Sequence, residues 1–128
     1  MTAVSGQYGC VKIGSSAITE VDTWSLSRQC VVHEYATCST ASGTNALAGR
    51  RKHSGSMGGL QSSSDPIENY FEEGDSVTLK LYWTATNFYS GTAVIETLDI
   101  EDVDITEGAP VRWSSNFKAN GLFTSGSD

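Results

Sequence analysis

The sequence predicts an all-β fold with one short helix, arranged as a β-sandwich or a partly open barrel. The 128-residue chain contains 13 glycines and 38% hydrophobic residues, which favours many turns and a thin core. Strand-like runs separated by short turns lie on both sides of a single helical segment. Two long strands are predicted within residues 75–105, and the second exceeds the usual length of about five or six residues. The whole chain, residues 1–128, is predicted to form one domain.

The first third of the chain is predicted to contribute two strands. Residues 8–14 form a short strand, and residues 17–28 form a second strand after a glycine-containing turn. Residues 30–35 continue the second strand. Its apolar face is formed by side chains of one parity: Ile18, Trp24 and Leu26.

A long loop is predicted next, because residues 37–49 are small and polar and lack a hydrophobic period. Loops of about 13 residues in compact domains are often functional. Three basic residues, Arg50, Arg51 and Lys52, follow at the start of a strand predicted over residues 50–60. This cluster is either a solvated strand end or an electrostatic contact with an acidic patch on a neighbouring copy.

The one predicted helix begins at Ser64 or Asp65 and covers about two turns. Asp65 is expected to cap the helix, Pro66 to occupy its first position and Glu68 to complete the capping box. Gly74 ends it. Three apolar residues at the spacing i, i+3 and i+4 are predicted to pack the helix on the sheet: Ile67, Tyr70 and Phe71.

The remaining strands are predicted over residues 75–82, 88–105 and 111–121. In the long middle strand the apolar parity changes, which predicts a β-bulge near Glu101 and Asp102. Residues 122–128 end in the polar run Thr124-Ser125-Gly126-Ser127-Asp128 and are predicted to form a frayed tail.

The composition argues against several functions. Fifteen acidic residues outnumber eight basic ones, and the net charge of −7 disfavours binding to nucleic acid. Three cysteines without paired spacing predict reduced thiols in a protein made and kept in a reducing cytoplasm: Cys10, Cys30 and Cys38. The sequence shows neither a signal peptide nor an apolar stretch of about 20 residues, so no membrane binding is expected.

No catalytic or cofactor motif is present in the sequence. His33 and His53 do not complete a zinc-ligand spacing with the cysteines, and no nucleophile elbow or phosphate-binding loop occurs. The sequence therefore predicts neither an enzyme nor a cofactor. The acidic run over residues 96–104 lacks a calcium-loop spacing and is either a solvated surface or part of a channel wall.

Four segments, in this order and covering most of the chain, resemble the tail tube proteins of long-tailed bacteriophages. They are Thr23-Trp24-Ser25-Leu26-Ser27, His53-Ser54-Gly55-Ser56, Tyr89-Ser90-Gly91-Thr92-Ala93 after the strand 77–82, and Phe117-Lys118-Ala119-Asn120-Gly121. The chain departs from the family pattern at His53, where an aromatic residue is common, and in the segment over residues 30–49.

The resemblance implies a structural subunit of the virion tail, made in the host cytoplasm. Hexameric rings of such subunits join their long strands into an inner barrel, and the rings stack into a hollow tube that conducts DNA during ejection. The implied partners are further copies of the chain and other tail proteins, such as a tape measure, terminator or sheath protein. DNA passes through without specific binding.

The resemblance also assigns residues to surfaces. The loop over residues 37–51 is expected to contact the next ring, through Thr37, Ser42, Asn45, Arg50 and Arg51. Asp99 and Glu101 share a parity and are expected to face the lumen.

Other functions remain open at this point. A capsid decoration protein or a tail terminator is also small, β-rich and acidic, and a type VI secretion tube protein has the expected fold. A monomeric carbohydrate-binding β-sandwich would use aromatic residues to stack on sugars, namely Tyr82, Trp83, Phe88 and Tyr89.

Overall fold

A computed structural model describes residues 5–14, 16–18, 21–36, 43–101, 103 and 105–128. These residues form one antiparallel sheet of eight strands: β1 (Cys10–Ile13), β2 (Ser16–Ala17), β3 (Val21–Tyr35), β4 (Asn45–Leu60), β5 (Ser76–Tyr82), β6 (Asn87–Glu101), β7 (Arg112–Ala119) and β8 (Thr124–Ser127). The strand order is β2-β1-β5-β6-β7-β4-β3, and β8 pairs with β6. The predicted all-β class is confirmed, and the sheet is open instead of closed into a barrel.

The sheet curls around a single apolar core. Its innermost side chains come from four strands and from the segment after one turn: Val11, Leu79, Leu81, Ile95, Trp113, Phe117 and Phe71. The indole Nε1–H of Trp24 on β3 donates to the carbonyl of Tyr82 at the end of β5, at 3.0 Å. Because β3 and β5 are not neighbours in the sheet, this side-chain hydrogen bond joins two strands that no backbone ladder connects.

The predicted short helix is a single 3₁₀ turn over Ile67–Asn69, preceded by Pro66 without a side-chain cap. Asp65 does not cap the turn because its carboxylate accepts a hydrogen bond from the hydroxyl of Tyr70. Ile67 and Phe71 are buried in the core, and Tyr70 packs against it. A second 3₁₀ turn covers Gly6–Tyr8. In the described part of the chain, no helix is long and apolar enough to cross a membrane.

The predicted loop over residues 37–51 is partly wrong. Residues 37–42 lie outside the described residues, but β4 already begins at Asn45 and pairs with β3 from there. Both faces of this part of β4 are exposed, so its side chains show no alternation of polar and apolar residues. Backbone pairing with β3 stabilises the strand in the absence of that pattern.

The predicted bulge near Glu101 is also misplaced. The register between β6 and β7 shifts between Ile95 and Thr97, which leaves Glu96 as the extra residue. β6 then ends at Glu101, short of the predicted end at Ile105.

The C-terminal segment is folded, so the prediction of a frayed tail over residues 122–128 is wrong. β8 pairs with β6, and Phe123 is buried, with its ring stacked on that of Phe117 at 5.9 Å between centroids. The hydroxyl of Tyr82 donates to the carboxylate of Asp128 at 2.7 Å, and this bond with burial raises the pKa of Tyr82 to about 12. One aromatic side chain in a polar segment is sufficient to anchor it here.

Candidate assembly surfaces

Alternate side chains of β3, β4, β7 and β6 form one continuous surface, here called the polar face. The strand registers align its residues in rows: Thr23, Gly58, Ser114 and Asp99 in one row, and Ser25, Ser56, Asn116 and Thr97 in the next. Seven of these eight residues are uncharged: six are small, and the seventh is an asparagine. The opposite side of the same strands carries the core residues Met57, Trp113 and Phe117. These four strands therefore present a smooth hydrophilic surface on a rigid apolar backing.

Hydrogen bonds between neighbouring strands hold the side chains of the polar face in place. The hydroxyls of Ser25 and Ser56 lie 2.9 Å apart, and the hydroxyl of Thr97 accepts the backbone N–H of Asn116 at 3.2 Å. Because these hydroxyls bond to each other and to the backbone, fewer of their groups point freely outward.

Two ion pairs flank the polar face. Arg112 makes a two-pronged contact with Asp22, at 2.8 and 2.9 Å, and Lys118 contacts Glu96 at 3.1 Å. Hydrogen bonds from Arg112 lower the pKa of Asp22 below its ordinary value. These pairs are exposed to solvent, which screens them, so they contribute little to the stability of the fold.

Asp99 and Glu101, the carboxylates predicted to face a lumen, lie on β6 on the side of the polar face. Asp99 pairs in register with Ser114, and Glu101 pairs with Arg112; both side chains are exposed. The cations beside these rows, Arg112 and Lys118, are bound to other carboxylates, so Asp99 and Glu101 carry the unpaired charge of this part of the polar face.

The hairpin of β3 and β4 projects beyond the end of β7. This projection, here called the arm, comprises residues 28–35 and 45–53, and it extends for roughly 25 Å. Val32, Tyr35 and Leu47 are 57%, 47% and 59% exposed on it. A two-stranded ribbon with exposed apolar side chains is marginal alone in water, so the arm is suited to contact another chain.

The residues predicted for the contact between rings lie in different places. Asn45, Arg50 and Arg51 are strand residues of the arm, whereas Thr37 and Ser42 lie outside the described residues.

At the root of the arm, an open cleft of about 710 Å³ separates β4 from the segment after β7. Its basic lining residues are Arg50, Arg51, Lys52 and Lys118, and no carboxylate lines it. His53 lies at its inner end, buried, and its Nδ1 accepts the backbone N–H of Phe123 at 2.9 Å. Burial first, and then the charges of Arg28 and Arg51, lower the pKa of His53. The cleft is therefore a site of positive potential in an acidic protein.

The polar-face strands end in two open edges. Among the described residues, β3 pairs only with β4, and residues 97–101 of β6 pair only with β7. Unpaired N–H and C=O groups along such edges readily accept a further strand.

In the described part of the chain, no group of three His, Cys, Asp or Glu side chains comes close enough to hold a metal ion. Cys10 and Cys30 are free thiols.

Sequence reasoning missed the polar face, although one signal of it was visible. Thr23, Ser25 and Ser27 alternate with Trp24 and Leu26, which is the pattern of a strand with one polar side. The meeting of four such strands depends on the sheet order, which this local pattern does not contain.

Comparison with known proteins finds similar structures but no similar sequences. No family model and no curated protein matches the sequence. The structure is similar to a chain in the tail of an empty gene transfer agent particle with C6 symmetry: the TM-score is 0.74 at 14% identity, covering 95% of this chain and 98% of that one. This chain has the tail tube fold. It is also similar to the SPP1 tail tube, with a TM-score of 0.71 at 16% identity, covering 98% of this chain and 80% of that one.

A third similar structure is the sheath/tube terminator of the extracellular contractile injection system PVC. The TM-score is 0.73 at 13% identity, and the match covers 98% of each chain. The predicted resemblance to tail tube proteins is thus confirmed at the level of the fold.

Proposed function

We propose that this protein is a structural subunit of a phage-type tail, and that its hexameric rings stack into the hollow tube that conducts DNA. The observation that carries the proposal is the polar face, which lies on four adjacent strands that end in open edges. A hydrophilic surface with edges that can be joined is what a subunit of a shared water-filled barrel needs. The similarity to tail structures supports the same assignment.

Ring formation follows from the edges. The free edge of β3 in one copy would pair with residues 97–101 of β6 in the next, so that four strands from each copy join one barrel. Closure covers both of these open edges, which would otherwise promote uncontrolled aggregation. The C6 symmetry of the similar gene transfer agent tail supports six copies in each ring.

In this arrangement the polar face lines the lumen. Asp99 lies within this surface and Glu101 at its rim, and six copies place 6 × 1 = 6 Asp99 carboxylates along the lumen of each ring. They repel the phosphates of DNA, while salt limits that repulsion to a range of about 8 Å. Hydroxyl groups bonded to one another give DNA few places to adhere. The lumen would therefore pass DNA without binding it.

The protein would be located in the virion tail after synthesis in the host cytoplasm. Its partners would be copies of itself and neighbouring tail proteins, such as tape measure, terminator or sheath proteins.

A tail terminator is the second candidate, because the similarity to the PVC sheath/tube terminator is nearly as strong. A terminator would form one ring and stop, whereas a tube protein would continue to stack. A carbohydrate-binding module is disfavoured by the aromatic residues themselves. Tyr82 is 2% exposed with its hydroxyl bonded to Asp128, and the ring of Phe88 packs on Tyr82.

Negative-stain electron microscopy of the purified protein at low and high concentration tests the proposal. Stacked hollow tubes support a tube protein, and isolated rings at every concentration support a terminator. Compact monomers at high concentration would contradict both assignments.

A further inference from the structure

We propose that copies of this chain stack end to end through complementary charges, with the basic cleft of one copy receiving the acidic end of β6 of the next. This inference rests on the proposed assembly and specifies which surfaces meet. The acidic end consists of Glu101 with the exposed residues Val103 and Ile105.

The basic cleft is suited to an acidic partner. Four of the eight Arg and Lys residues of the chain line it, and no carboxylate does. Lys118 is paired with Glu96, but no ion pair in the described residues engages Arg50, Arg51 or Lys52. Leu122, which is 43% exposed, adds an apolar wall. The cleft therefore offers uncompensated positive charge beside an apolar surface.

The acidic end has the matching chemistry. Glu101 is exposed at the last position of β6, and its neighbour Arg112 is already bound by Asp22. Val103 and Ile105 are 60% and 90% exposed, so they leave apolar surface uncovered in the segment that follows Glu101. The sequence alternates these apolar residues with further carboxylates. Contact with the cleft would pair the charges and cover the apolar side chains.

The two surfaces cannot meet within one copy. Glu101 pairs with Arg112, which pairs with Leu60 at the far end of β4. Arg51 lies nine residues earlier on β4, about 30 Å away along the strand. Complementary surfaces at opposite ends of one molecule make a head-to-tail contact, which continues indefinitely when it does not close into a ring. That geometry is the one that a growing tube requires.

Charge reversal tests the pairing. Arg51→Glu and Glu101→Lys each place like charges at every stacking contact, and each is expected to raise the concentration needed for tube formation about tenfold or more, while rings still form. The double variant carrying both changes restores opposite charges and is expected to restore tubes. A mixture of preformed rings of the two single variants is also expected to form tubes, because alternating rings make every contact complementary.

Lys12→Glu is the matched control, since it makes the same charge change on β1, away from both surfaces. It is expected to form tubes at the wild-type concentration. Wild-type tubes should also dissociate as salt rises from about 0.1 M to 1 M, where the Debye length falls from about 10 Å to about 3 Å.

The outcomes separate this inference from the proposed function. Normal tubes from Arg51→Glu, or single variants that neither the double change nor mixing rescues, would overturn the charge pairing and leave the tube assignment in place. A wild-type protein that forms neither rings nor tubes would overturn the assignment itself.

Discussion

Replacing Phe123 by alanine tests whether the C-terminal segment is part of the folded core. Its ring is 2% exposed, stacks on Phe117 and lies 2.8 Å from the position that a Cβ on Gly91 would take. Truncating a buried phenylalanine costs about 3–5 kcal/mol, and this position near the sheet edge should lie at the lower end, near 3 kcal/mol. For a domain of this size, such a loss lowers the melting temperature by roughly 10 °C.

Urea unfolding followed by tryptophan fluorescence measures this loss, because the buried indole of Trp113 reports on the core. Leu122→Ala is the matched control: it removes a neighbouring aliphatic side chain that is 43% exposed, and it should change stability by about 0.5 kcal/mol or less. Assembly is prevented by working at low concentration, so that the monomer is measured. If Phe123→Ala and Leu122→Ala cost the same small amount, the segment is frayed as the sequence suggested, and the structural reasoning is wrong.

Three further predictions concern the stability of the subunit. Gly55→Ala should lower the free energy of unfolding in urea by about 1–3 kcal/mol, because its Cβ would come within 2.2 Å of a backbone carbonyl oxygen of β3. Gly6→Ala is the control, because the space around Gly6 is open, and it should leave the free energy of unfolding unchanged. Equal effects of the two changes would contradict the close packing of Gly55 against β3. Stability should fall as pH drops below about 6.5, because the unfolded chain then takes up a proton that buried His53 resists in the folded state. His53→Gln should make stability less dependent on pH in this range. An unchanged slope would show that another titratable group causes the pH dependence. Trp24→Phe should cost about 1–3 kcal/mol by leaving the carbonyl of Tyr82 without its donor, and a neutral result would show that this bond does not hold the curl of the sheet.

The strands that could be predicted from the sequence are those in which apolar and polar residues alternate. The faces of β5 and β7 follow from strict alternation, as at Leu79 and Leu81 and at Trp113 and Phe117, and these residues are all buried. The prediction failed where one face does not go to the core. Residues 45–51 are exposed on both sides of β4, so no pattern marked them as a strand.

The helix prediction failed for a different reason. The residues of a capping box are present in the sequence, but a side chain that could cap the helix can also bond to other groups. Asp65 accepts a hydrogen bond from Tyr70, and Gln61 accepts the backbone N–H of Ile67 in its place. Such competition depends on tertiary contacts, and local propensity does not contain it.

The candidate surfaces were predictable only in part. The basic cluster and the acidic run were visible as charges in the sequence, and the basic cluster is exposed together with Glu96, Asp99 and Glu101. Their location at opposite ends of the same strands follows from the register that joins Glu101 to Arg112 and Leu60. A register shifted by the bulge at Glu96 cannot be derived from alternation alone, and it decides which carboxylates lie on the polar face.

Cryo-electron microscopy of the assembled protein tests the central claim most directly, because it shows which surface lines the tube. The account predicts six-copy rings with a continuous inner barrel made from β3, β4, β6 and β7, and with Ser25, Ser56, Asn116 and Asp99 facing the lumen. Tubes or rings in which these side chains face outward, or in which the edge of β3 stays unpaired, would contradict it.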